Sequence, residues 1–404
     1  MNSYRLAWFA GTLGILVGCS GKYDAGFEPS SSAGSSGAKP DGSSGSGVGG
    51  ASDGGAAPST AGSPAAGGGS SVGGTSTGVG GNGVGSSGVA GSGTPIGVAG
   101  ASTGTAGAPS SCGVVLTPPA TIDLASAAVI WRRLSLFLDG EASEPPIGLP
   151  ATITRETAGG LAMIILDRAS PKSAPGMDRF VASWWPGTPI ASTWAAYFST
   201  KGGTLSQLLT TNAVASPGSG MLTDEAVLKN GGVRISPRGA FLSAHLLCIQ
   251  VPPSPPLPPS AAATPGETRR QWLEKTVASP TCRSCHQLMD PLGTALEHFD
   301  TAGSYGNLDN GSPIDSSGDF QGNGFDIQFD TPNQLGLALA GQCAVAQCVA
   351  QQMLADAETS AKLPKAGSSD PALVAPIAAA FIASGGDLHT LVRQIVQSDT
   401  FLRP

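Results

Sequence analysis

Apolar positions divide the chain into a long stretch with little to bury and a remainder that alternates between helical and strand-like spacing. Leu6 to Val17 is a short apolar run, too brief to span a bilayer. From about Ser30 to Ser111 the chain is Gly, Ser and Ala with scattered Pro, Thr and Val. Such a stretch cannot bury enough apolar surface to offset its ordering entropy, so residues 19–111 are expected to form a disordered tether. Its roughly 80 Gly/Ser-rich residues give a typical reach of about 50 Å. Helical spacing sets in after Ile122. Between Leu124 and Leu138, Val129, Arg132, Arg133 and Leu136 recur at helical offsets beside apolar Leu134, Phe137 and Leu138, with Gly140 as a stop. Further helices are predicted over Arg155–Asp167 and around Met177–Trp185. Trp184, Trp185, Trp194, Tyr197 and Phe198 supply bulk for a core.

Met221-Leu222, Phe241-Leu242 and Leu246-Leu247-Cys248 then lead into a run of prolines, Pro252 to Pro259, stiff enough for a spacer between packed units. Beyond it, Thr264-Pro265-Gly266-Glu267 reads as a capping box that opens a helix with Trp272, Leu273, Thr276 and Val277 on one face. Ser279-Pro280 starts the next helix, and Asp290-Pro291-Leu292-Gly293 ends it. Asp309-Asn310-Gly311 signals a β-hairpin, with Ile314 and Phe320 in extended pieces beside it. The acidic, Gly-rich run from Asp315 to Asp326 does not match a calcium-loop spacing and reads as solvated turns. Three helices close the chain. The first lies around Ala344–Ala357. The second runs from Asp370-Pro371 to Gly385-Gly386, with a kink at Pro376. The third is capped by Asp387, with Leu388, Leu391, Val392, Ile395 and Val396 as its apolar stripe. The fold class is therefore mainly α, with a short β-hairpin, behind a disordered tether.

Charge and composition narrow the function. The chain has 21 basic and 28 acidic residues, a net charge of −7, and no basic run that would argue for nucleic acid. No hydrolase triad, zincin motif or phosphate loop occurs in the folded part, and four histidines leave little general-base capacity. The chemistry concentrates in Cys282-Arg283-Ser284-Cys285-His286, the Cys-x-x-Cys-His attachment signature for one c-type haem. Two thiols three apart add to the two vinyl groups of one porphyrin, and the adjacent imidazole of His286 becomes the proximal iron ligand. Met289 follows His286 by one helical turn and stays on the same side of the ring, so it does not supply the sixth ligand. Distal candidates are Met353, foremost, then His298, Met221, His245 and His389. A filled sixth position points to electron transfer, a vacant one to small-ligand or peroxide chemistry. A thioredoxin-like centre lacks a βαβ setting, and a zinc site lacks a second ligand pair.

The leader bears on the remaining cysteines. Arg5 precedes the apolar run, which ends in Leu16-Val17-Gly18-Cys19 and resembles the lipobox of bacterial lipoproteins. That resemblance implies removal of residues 1–18, acylation of Cys19 and attachment to membrane lipid. Ser20, not Asp, follows Cys19, which in that family's sorting habit implies the outer membrane of a Gram-negative cell, on its periplasmic or its outer face. Outside the cytosol cysteines tend to pair. Cys112, Cys248, Cys343 and Cys348 allow three pairings, among which the sequence does not choose. If Cys343 and Cys348 share a helix, their Cα atoms stand roughly 8–9 Å apart, too far for a bridge between them.

Residues 282–303, CRSCHQLMDPLGTALEHFDTAG, are similar to the planctomycete-type cytochrome c family, exported multi-domain proteins whose modules are mostly of unknown function. The shared motifs continue through Met289-Asp290-Pro291-Leu292-Gly293, Glu297-His298-Phe299-Asp300 and Asn310-Gly311-Ser312-Pro313-Ile314-Asp315. Leu246 to Pro259 fits the segment before the family's haem motif, and Ser384 to Leu388 with Asp399-Thr400-Phe401 fits its C-terminal module. Arg132 to Leu138 resembles the start of its preceding helical module. Ala355-Asp356-Ala357-Glu358 departs from the Tyr-Ala-x-Gly-Arg ending usual there. The resemblance divides the folded part into a divergent helical module (112–240), a proline-rich connector (241–263), a small helical c-type haem module (264–342) and a C-terminal helical module (343–404). The expectation is a surface-tethered redox carrier with an unidentified redox partner. The alternatives are a non-catalytic interaction lipoprotein, its haem structural or replaced by a Cys282–Cys285 disulfide, and a haem peroxidase-like auxiliary enzyme.

Overall fold

Ser126 accepts a hydrogen bond from Val129 N and starts α1 (Ala127–Leu134), which widens into a π-turn over Ser135–Asp139 and stops at Gly140 with φ of 80°. The computed structural model describes Cys112 and residues 122–211, 218–252, 262–322, 324–363 and 367–404. The expected leader, the tether with Cys19, and Pro253 to Pro259 lie outside the described residues. The buried face of α1 and its π-turn is Ile130, Leu134, Phe137 and Leu138, whereas Val129 is 42% exposed. The inward stripe therefore lies one residue further along than the predicted one. α2 (Arg155–Ala169), α3 (Pro175–Trp184), α4 (Ala191–Ser199) and α5 (Leu205–Thr210) follow. Trp184, Trp185, Trp194 and Phe198 are buried in the core as expected, and Tyr197 is half-buried against it.

A 3₁₀ turn over Gly220–Thr223 and α6 (Glu225–Leu228) lead to α7 (Ile235–Leu246), α8 (Arg269–Thr276), α9 (Pro280–His286) and α10 (Asp290–Thr294). Thr264 to Glu267 is a reverse turn and not a helix start. Glu267 N donates to Thr264 O at 3.0 Å, and Gly266 has φ of 81°, the Pro-Gly arrangement of a type II turn. The capping box lies four residues on, where Thr268 and Gln271 satisfy each other's backbone N–H groups. Asp290-Pro291 does not end the helix of Cys282 and Cys285, which stops at His286; it opens α10 with proline in the first turn.

β1 (Leu308–Asp309) and β2 (Ser312–Pro313) meet at Asn310-Gly311, whose φ values of 50° and 83° suit a type I′ turn. The run expected as solvated turns forms a second hairpin, β3 (Gly318–Gly322) paired with β4 (Phe325–Phe329). Phe325, Ile327 and Phe329 alternate inward along β4 and meet Phe320 from β3, burying apolar surface that turns would leave in water.

α11 (Pro332–Ala340), α12 (Cys343–Ser360), α13 (Pro371–Ala383), α14 (Leu388–Val396) and α15 (Asp399–Leu402) complete the chain. Asp387 caps α14 by accepting from Thr390 N at 2.8 Å, and the predicted stripe is fully buried. The C-terminal helices pack onto the first ones, α14 on α2 and α4, α15 on α1, and α12 on α3. Leu205 N donates to Gly386 O at 2.9 Å, Leu388 N to Gly203 O at 3.0 Å and Ala125 N to Leu402 O at 2.8 Å. Two stretches distant in sequence, before residue 211 and after residue 343, thus share one apolar core. Arg179 reinforces the contact, reaching Asp356 on α12 and Phe137 O in the π-turn, both at 2.9 Å. Among the described residues no helix is long and apolar enough to cross a membrane.

Cys343 and Cys348 share α12, and each takes its partner from elsewhere: Cys112–Cys343 and Cys248–Cys348, with Cα atoms 5.5 and 5.4 Å apart. The second bridge fastens the residue just beyond the end of α7 to α12. It closes a loop with a sequence separation of 100 residues. Replacing Cys248 and Cys348 together by Ser is expected to lower stability by about 3–5 kcal/mol through the freed loop entropy of the unfolded chain. Urea unfolding of the two forms measures this, and equal midpoints would contradict it.

Candidate functional site

α9 is short and is held by its ends. Ser279 Oγ accepts from Cys282 N at 3.3 Å, and Pro280 supplies the first helical residue. Cys282 and Cys285 are unpaired thiols, the first half-buried and the second buried, although the four other described cysteines are bridged. His286 is 2% exposed. Its Nδ1 lies 2.7 Å from Asp290 Oδ2, one helical turn ahead, and Ser236 Oγ stands 3.4 Å from the same nitrogen. A carboxylate only accepts, so Nδ1 carries the hydrogen, and in the neutral imidazole Nε2 keeps its lone pair. Nε2 is buried without any hydrogen-bond partner. An unmet buried polar atom costs about 1–3 kcal/mol, which a folded chain seldom leaves uncompensated. Two thiols three apart and a buried, unclaimed imidazole nitrogen beside them are the donor set a covalently held porphyrin iron needs, and these residues fit that group.

What fixes α9 is α7. The two backbones of α7 and α10 cross so closely that a Cβ on Gly239 would fall 1.8 Å from Met289 O, and one on Gly293 would fall 2.1 Å from Ile235 O. Ser243 Oγ, one turn along, donates to Leu288 O at 2.6 Å. Arg238 is fully buried and donates to Leu228 O at 2.9 Å, Gly232 O at 3.1 Å, Leu296 O at 3.0 Å and Phe299 O at 2.7 Å. Burial pulls its guanidinium down to about 10, still charged at neutral pH. One side chain therefore closes the backbone carbonyls on both sides of the crossing.

A second cluster braces the far end. Arg269 pairs with Asp309, Nε to Oδ2 at 3.2 Å, and donates to Val233 O and Glu297 O, both at 2.8 Å. Glu297 is 3% exposed and its Oε2 has no hydrogen-bond partner. Burial pushes its carboxyl up to about 7, against the smaller opposing pull of Arg269.

The distal candidates are scattered. Met353 is fully buried on α12, a helix that packs on α13, α14, α3 and α7. Met221 is fully buried in the 3₁₀ turn. His245 stacks on Phe241 with ring centroids 4.4 Å apart, and burial lowers its pKa. His298 Nδ1 donates to Gly306 O at 2.7 Å, and its ring stacks on Tyr305 at 4.7 Å. His389 is buried on α14 at 7% exposure, not at the surface as its place beside an apolar stripe implies. Met289 does not share a helix with His286, as its spacing implied: α9 ends at His286, and Met289 stands just ahead of α10 with its carbonyl under Gly239. Sequence reading passed over Ser236, Arg238, Gly239 and Ser243, which hold the site from another helix. It read Asp290 as a helix stop and part of a shared motif, not as the partner of His286, four residues before it.

Residues 219–309 match the family model described as PSCyt3, protein of unknown function (DUF1588), a planctomycete cytochrome c-type domain. The matched span runs from the 3₁₀ turn to β1 and includes both partners of the Gly239–Gly293 crossing. No curated protein and no solved structure matches the chain.

Two outcomes are expected. Gly239→Ala should lower stability by about 3 kcal/mol, because the methyl meets a backbone carbonyl that cannot swing aside. Gly160→Ala on α2, where a Cβ meets nothing within 4 Å, should instead raise stability by about 0.5–1 kcal/mol. Denaturant titration of both reads the contrast, and a Gly239 variant as stable as the parent refutes the close crossing. Glu297 holds its proton more tightly when folded, from an ordinary 4.5 up to about 7. Its contribution is therefore fully present below about 4.5 and is lost as pH rises through 7, by on the order of 3 kcal/mol. Glu297→Gln should remove that fall, and an unchanged stability–pH curve would show that Glu297 is not its source.

Proposed function

We propose that this chain carries one haem c and passes electrons to or from a protein partner, a reading supported by the match of residues 219–309 to a cytochrome c-related domain family of unknown function. Cys282 and Cys285 would hold the haem through thioethers, and His286 Nε2 would bind its iron. The observation that carries the reading is the buried, unpartnered Nε2 of an imidazole whose other nitrogen is already bonded to Asp290. The unpaired state of Cys282 and Cys285 favours haem attachment over a disulfide between them. When bound, the haem supplies a one-electron Fe(III)/Fe(II) couple. The chain's own part is positional. Asp290 keeps the hydrogen on Nδ1, the α7–α10 crossing fixes the turn that carries Asp290, and burial keeps water from competing for Nε2. Cys19, once acylated, anchors the protein at the outer membrane of a Gram-negative cell, and residues 19–111 let the folded part stand off the lipid.

The test is expression in a host able to attach haem covalently. A denaturing gel stained for haem should show the band, a pyridine haemochrome spectrum should report two thioethers, and Cys282→Ser with Cys285→Ser should abolish both. In the same cells Cys19→Ser should leave the membrane fraction. Carbon monoxide added to the reduced protein reads whether a side chain fills the sixth position. Colourless protein, or pigment that survives loss of both thiols, sinks the haem reading, and a Cys19 variant that stays with the membrane sinks the anchor.

A further inference from the structure

Granting the haem reading above, we infer that Asp290 sets the electron affinity of the bound iron by pulling on the proximal imidazole, which makes it a positioning and tuning residue as well as a helix starter. The geometry has three parts. Asp290 Oδ2 accepts from His286 Nδ1 at 2.7 Å, the length of a charge-assisted bond. Asp290 Oδ1 is buried and has no hydrogen-bond partner, so the carboxylate's charge is not drawn off toward other donors. The imidazole itself is 2% exposed, in surroundings where such a bond is electrostatically stronger than in water.

A carboxylate accepting from the far nitrogen of an iron-bound imidazole pushes electron density toward Nε2 and makes it the more basic ligand. The more basic ligand stabilises Fe(III) over Fe(II), so the couple sits lower than it would with a neutral acceptor in the same place. Ser236 Oγ, 3.4 Å from Nδ1, is a neutral alternative on α7, further away than Asp290. The carboxylate therefore dominates. Its reach is fixed by the chain, because Asp290 follows directly on Met289, whose carbonyl is clamped beneath Gly239. The site is built for an iron centre poised toward its oxidised state and suited to donating electrons.

The experiment compares holoprotein of the parent, Asp290→Asn and Asp290→Glu by potentiometric titration, with the haemochrome measured first on each. The Asn form keeps an acceptor oxygen and loses the charge. It should shift the Fe(III)/Fe(II) preference toward Fe(II) at least tenfold, which is about 59 mV for a one-electron couple. The Glu form keeps the charge and should stay within a few-fold of the parent. A parent-like potential in the Asn form overturns the inference, as does an equal shift in the Asn and Glu forms, which would mark a merely structural role. Should the Asn form fail to accumulate, the Glu form decides: a parent-like potential supports the inference, and a tenfold shift overturns it. Failure of the haem reading would show earlier and differently, as a parent protein with no haemochrome.

Discussion

Everything around the CxxCH helix depends on one steric constraint, the approach of α7 to α10 at a distance that admits no side chain. Gly239 and Gly293 lie on opposite sides of this crossing, and each would drive a Cβ into a carbonyl of the other helix, at 1.8 and 2.1 Å. α9 and α10 have seven and five residues. Helices that short are unstable alone, since nucleation is paid without enough propagation to recover it. They acquire a fixed position only by resting on something longer. α7 is that support, and Ser243 and Arg238 on it satisfy carbonyls of the supported segment. The orientation of His286 is therefore decided largely outside its own helix.

α7 is in turn held to the rest of the chain covalently. Cys248, just beyond its end, is bridged to α12, and α12 also carries the bridge to Cys112. α12 packs against α3 and α13 in the core formed by the two ends of the described chain. α7, over residues 235–246, thus serves two neighbours at once, α10 and α12.

Legibility followed range. Signals that act within one turn were readable: Ser279-Pro280 does open α9, Asn310-Gly311 does make the hairpin, and Asp387 does cap α14. Thr264-Pro265-Gly266-Glu267 misled because the same residues satisfy two local patterns, and the positive φ of Gly266 selects the turn over the helix. The β3–β4 hairpin was missed because glycine and acidic residues masked a strict alternation over Phe325, Ile327 and Phe329. Within the site, the Cys-x-x-Cys-His spacing of residues 282–286 was plain in the sequence. The residues that aim it were not, because Gly239 and Ser243 are ordinary helix residues until another backbone lies on them. Nothing local marks Arg238 as buried.

Arg238 also shows which force settles the second shell of the site. Its burial is unfavourable enough to pull a guanidinium down to about 10, and none of its hydrogen bonds goes to a carboxylate. As a charge pair it would be a poor bargain. As a set of donors it serves backbone oxygens at Leu228, Gly232, Leu296 and Phe299, and a buried oxygen left unmet costs about 1–3 kcal/mol. Satisfaction of carbonyls, not charge pairing, is thus why the arginine is tolerated. Glu297 nearby gains no such return: its Oε2 has no partner, and its proton affinity rises. A cation that serves the backbone stays charged inside the fold, while a carboxylate that does not is driven toward its neutral form. Asp290 differs from Glu297 in having a partner inside the site, the His286 N–H that one of its oxygens accepts.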